Sequence, residues 1–122
     1  MGEVAEIVAL QLAIVERFKT ALSRYGQEKG LGENEVAYIS NVYAAVLADG
    51  LADVNTLLEL LTADKLTMTD DQRVDRVRGL DDAMKARYAF TTGFTEQADL
   101  LGLQRQAVGT DGGTVKGLYG LQ

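Results

Sequence analysis

The groups in this chain that could do chemistry are almost all carboxylates. Asp70, Asp71 and Asp75 cluster at one point, and oxygen ligands of this kind could hold Mg²⁺ or Ca²⁺. Ca²⁺ needs more oxygens than this cluster supplies, and Mg²⁺ sites usually share a substrate phosphate. Arg73 and Arg76 are also interleaved with the acids. The favoured role is therefore first-turn charge that complements a helix dipole. Asp81 and Asp82 could form an acid–base pair. Neighbouring helical residues point about 100° apart, however, so the two do not converge and should be solvated surface. Ser23, Ser40 and the threonines have no histidine to activate them. A Ser–Lys pair has no positional support. The run Gly109-Thr110-Asp111-Gly112-Gly113-Thr114-Val115-Lys116 superficially suggests a phosphate loop, but Val115 and Gly117 flank the lysine where Gly and Ser/Thr are required.

The chain has no His and no Cys, which removes most zinc, copper, haem and thiol chemistry. No catalytic, metal-binding or cofactor-binding residue is expected. The aromatic residues are more informative. Phe18, Tyr25, Tyr38, Tyr43, Tyr88 and Phe94 lie on or near periodic apolar stripes and should form core. Phe90 lies about a third of a turn off the Met84–Tyr88–Thr91 line. It should either cover the first helix or stand exposed for a partner, with burial favoured. Phe90 and Tyr119 are the candidate partner-binding residues.

Three helices must position these groups. The longest, residues 70–105, starts at Thr69, where the Thr69/Gln72 spacing is that of a capping box. Val77, Leu80, Met84, Tyr88, Thr91, Phe94, Ala98 and Leu101 recur at helical steps. Thr91, Thr92 and Gly93 are poor helix formers, so a bend or break is expected there. Residues 3–25 form the first helix, with Val4, Val8, Gln11, Val15, Phe18, Leu22 and Tyr25 inward. Ile7, Ile14 and Ala21 widen that stripe, and Gly26 should end the helix. Residues 34–63 form the second helix, capped by Asn34 or Glu33, with Val36, Ile39, Tyr43, Val46, Gly50, Val54, Leu57 and Leu61 inward. Gly50 marks either a close crossing or kink, or a tolerated defect. Leu58 and Leu60 should broaden this face, and Leu66 and Met68 should fold back as plugs.

These elements predict an all-α, antiparallel three-helix bundle over residues 1–108. Residues 109–122 should form a Gly-rich tail, flexible or loosely docked, since five of the last fourteen residues are Gly. The length of 122 residues suits one domain. The net charge of −6, with basic residues scattered among acids, argues against phosphate-backbone binding. The longest apolar run, Ile7–Val15, is interrupted by Gln11 and is too short to span a bilayer. The N-terminus lacks a basic region, so it is not an intact signal peptide.

From Tyr38 to Arg105 the chain resembles a family of small exported proteins of bacterial conjugative elements, best known in Bacteroidetes-type conjugative transposons. The residues that carry this are Tyr38-Ile39-Ser40-Asn41-Val42-Tyr43, the leucine-rich Leu51–Leu61, Leu66-Thr67-Met68-Thr69-Asp70-Asp71-Gln72-Arg73, and Arg87-Tyr88-Ala89-Phe90. The resemblance covers rather more than half the chain and transfers no functional residue. It implies a non-enzymatic structural or adhesion component of a type IV secretion-like transfer apparatus, similar in kind to helical minor-pilus proteins. The implied location is periplasmic if an export signal has been removed, and cytoplasmic otherwise. The implied partners are other apparatus proteins or copies of the same chain. The family's usual signal peptide and longer N-terminal helical region have no counterpart here. A cytosolic helical adaptor or phage-like assembly protein is the alternative.

Overall fold

A computed structural model of the chain describes residues 2–27, 30–64 and 66–110. Three long helices make up the fold: α1 (Gly2–Gln27), α2 (Glu33–Thr62) and α3 (Asp70–Thr110). Among the described residues there is no strand, and no helix is long and apolar enough to cross a membrane. Each helix packs on both others, so the bundle closes around one core.

The cross-links between helices set their directions. Arg87 pairs with Asp53 at 2.9 Å, and Arg105 pairs with Glu35, so α2 and α3 run antiparallel. Phe18 stacks on Tyr43 while Gln11 reaches Leu47, so α1 and α2 are antiparallel as well. Lys85 meets Glu6 at 3.1 Å and Arg24 meets Asp99 at 2.8 Å, which makes α1 and α3 parallel. The order is up, down, up, as short connections require.

The start of α3 follows its local sequence. Thr69 N–H donates to Gln72 Oε1 at 2.9 Å, and Gln72 N–H donates to Thr69 Oγ1 at 3.1 Å, completing the capping box. Arg73 Nη2 donates to the Ala63 carbonyl at 2.8 Å and so closes the end of α2. The start of α2 differs from expectation. Its cap is Gly32, whose N–H donates to Glu35 Oε1 at 2.9 Å; Asn34 and Glu33 are already inside the helix. The helix α1 continues through Gly26 to Gln27 instead of stopping at the glycine.

No break interrupts α3 at residues 91–93. Thr91 is fully buried and donates to the Arg87 carbonyl at 2.9 Å, while the next turn is anchored by Thr95 against Tyr43. Burial therefore overrides weak propensity. The helix also runs past residue 105 to Thr110, so residues 109 and 110 belong to it.

The core stripes follow the predicted lines with a rotation in α1. Ile7, Ile14, Phe18, Ala21 and Tyr25 are its buried line, and Val8 is 42% exposed. Leu61 is likewise 42% exposed, whereas Leu57 and Leu60 are buried. Met68 packs against the core, but Leu66 is exposed to solvent. Gly50 is buried beneath the Gln11 side-chain amide, which a methyl there would have to displace. A methyl on Gly30 would collide with the Gly102 carbonyl, so the α1–α2 connection lies directly on α3.

Candidate interaction surfaces

The bundle carries three neighbourhoods with chemistry or exposed apolar area. The first is polar and sits where α1 ends and α2 begins. Tyr43 from α2 lies between Phe18 of α1, stacked at 3.6 Å, and Phe94 of α3, edge-on at 5.7 Å. Its hydroxyl shares a 3.2 Å hydrogen bond with Thr95 Oγ1. One turn on, Tyr25 O–H donates to Asp99 Oδ1 at 2.7 Å, and Arg24 Nη2 donates to the same oxygen at 2.8 Å. Burial, and then the Asp99 carboxylate, push the Tyr25 phenol well above its ordinary range. Each polar group here finishes a contact between helices, and the cluster fixes register.

Asp81 departs from its expected place on the solvated surface. It is 3% exposed, held at the α1–α3 seam with Oδ2 at 3.1 Å from Lys85, which also meets Glu6. Asp81 and then Glu6 hold the Lys85 ammonium above its ordinary value. Asp82 is exposed, so the two neighbours do face apart. Asp70, Asp71 and Asp75 are exposed, with Asp70 and Asp71 in the first turn of α3.

The second neighbourhood is aromatic. Phe90 is 49% exposed and does not cover α1. Its ring stacks on Phe94 at 5.6 Å, on the side of α3 that meets α2. Nearby, Tyr38, Ile39, Phe94, Ala98 and Leu101 line an open groove of about 370 Å³ between α2 and α3. Tyr38, expected in the core, is instead 64% exposed at the rim of this groove. Of the two candidate partner-binding residues, Phe90 is therefore on the surface, and Tyr119 lies outside the described residues.

The third neighbourhood is aliphatic. Val4, Ala5, Val8, Ala9, Leu12 and Leu61 line an open groove of about 740 Å³ along the outer side of α1. Leu51 and Leu58, two turns apart on the flank of α2 beside α1, are 56% and 55% exposed. Two sequence signals point to this face. Ile7–Val15 has no charge anywhere around the helix, and a helix apolar on all sides is normally buried on all sides. Leu51 and Leu58 form a second apolar line off the core stripe, seven residues apart.

No family model, curated protein or solved structure matches the chain.

Proposed function

We propose that this chain is a non-enzymatic helical contact protein and that it serves a bacterial conjugative transfer apparatus, on the periplasmic side. The observation that carries the contact role is the exposed aromatic surface of Phe90 and Tyr38, beside a groove floored by Phe94. Aromatic anchors of this kind concentrate interface energy. The transfer setting rests on the resemblance from Tyr38 to Arg105 alone.

The test is a mating assay paired with a melting curve. Phe90→Ala should reduce DNA transfer between cells while lowering stability by only about 1 kcal/mol, because the ring is half exposed. A chain ending at Gly109 tests Tyr119 in the same assay. Normal transfer by both variants would sink this assignment of the surface.

A further inference from the structure

We propose that the aliphatic face of α1 and α2 is the docking site for a second copy of this chain, paired about a two-fold axis. This rests on the reading of the chain as a contact protein and names a partner for a different surface.

The first support is the amount of apolar area left uncovered. Leu12, Leu51 and Leu58 are each more than half exposed, and Val8 and Leu61 are each 42% exposed. With the exposed Ala5, Ala9, Ala44 and Ala48 between and beside them, each copy offers on the order of 600 Å². Two such faces together bury about 1,200 Å², the lower bound of a specific interface. Isolated exposed leucines need no explanation, but a contiguous patch of this size does.

Charge is the second support. From Ile7 to Val15 there is none, and Ala44, Ala48, Leu51, Asn55 and Leu58 carry none on the facing flank of α2. A foreign partner is commonly steered by complementary charge. This face carries no charge of its own, with Glu16 and Glu59 standing at its rim, so apposing its centre to itself desolvates no ion. The chain's net charge of −6 repels a second copy only at long range, and salt screens that term.

The third support is relief. Large side chains (Leu12, Leu51, Leu58) stand beside a trough with small ones (Ala5, Ala9) along α1. A two-fold interface uses the same patch on both copies, so a knob seated in the other copy's trough is matched by the reciprocal contact. The opposite half of α1's outer side shows the contrast, with Glu16, Lys19, Thr20 and Ser23 in solvent.

Light scattering on the purified full chain tests this. The wild type should run at twice its 13.2 kDa, and more completely as salt is raised. Leu12→Glu combined with Leu51→Glu should run at 13.2 kDa with its helical circular dichroism retained. A wild type that stays monomeric over a wide concentration range overturns the proposal, and so does a dimer that survives both substitutions. Cross-linking covers the case in which that variant fails to fold. The chain has no native Cys, so Leu12→Cys and Thr20→Cys each give one thiol. A short bismaleimide should couple Leu12→Cys into dimers and leave Thr20→Cys monomeric. Equal yields, or none from Leu12→Cys, would also overturn it. Mass is read on the isolated chain, so this failure is separate from any failure of the transfer assay.

Discussion

The two ends of the bundle are built by different rules. Where α1 meets α2, large aromatic rings interlock and the phenol hydroxyls of the two buried tyrosines described there are paired, Tyr43 with Thr95 and Tyr25 with Asp99. At the other end, Ile7, Leu57, Leu60, Val77 and Met84 make an aliphatic core, with the directional bonding confined to its edges, such as Asp81 and Glu6 on Lys85 at the α1–α3 seam. The polar end can pack in only one register, because a shift of one turn would strand buried hydroxyls. The aliphatic end carries more apolar side chains than its core can use, and the surplus faces outward. Specific internal pairing and external stickiness are thus separated along one molecule.

Four substitutions sharpen or break that contrast. The largest effect should come from Tyr43→Ala, at about 4 kcal/mol, since it empties the space between Phe18 and Phe94 and leaves Thr95 Oγ1 unpaired. A denaturation midpoint near wild type would mean that this ring does not hold the three helices. The next is a comparison of neighbours at the aliphatic end. Leu57→Ala should cost about 3 kcal/mol, while Leu58→Ala, in a monomeric background, should cost less than about 0.5 kcal/mol. Equal costs would show that the outward leucines belong to the core after all.

The smallest effect concerns alkaline pH. The Tyr25 phenol is raised in the folded state, so its contribution is complete below its unfolded value of about 10 and is lost as pH rises above that. Lys85, raised by Asp81 and Glu6, acts in the same direction. Tyr25→Phe should cost about 1 kcal/mol at neutral pH and make the decline in melting temperature above about pH 10 shallower. An unchanged slope would remove Tyr25 from the explanation.

Much of the fold was legible because its signals are local. The Thr69/Gln72 box and the α3 stripe from Val77 to Leu101 lie within one segment, and both stand as read. Apart from the helix ends at Gly26 and Gly32, the errors share one cause, which is dependence on another helix. Asp81 looks like surface until Glu6 and Lys85 close over it from the α1–α3 seam. Thr91–Gly93 looks like a break until Tyr43 holds the following turn. Val8 and Leu61 fit their stripes by phase, yet the stripe of α1 is rotated toward α3, and Leu61 lies against the outward groove on α1. Phe90 lies off the buried line as its phase predicts, yet it is half exposed instead of buried, and the ring it stacks on is Phe94 of its own helix. The aliphatic face was visible only indirectly, as a charge-free run too short for a membrane span and as the Leu51/Leu58 line off the core stripe.

The Phe18–Tyr43–Phe94 sandwich also decides what an optical experiment can see. The chain has no Trp, so its near-ultraviolet signal comes mainly from tyrosine. Among the described residues, the two buried tyrosine rings, Tyr25 and Tyr43, both belong to the polar end. Tyrosine fluorescence and near-ultraviolet dichroism will therefore report the melting of that end and stay nearly silent about the leucine end. A single smooth transition in those signals does not establish that the helices unfold together. Far-ultraviolet dichroism must coincide with it before a two-state free energy is assigned.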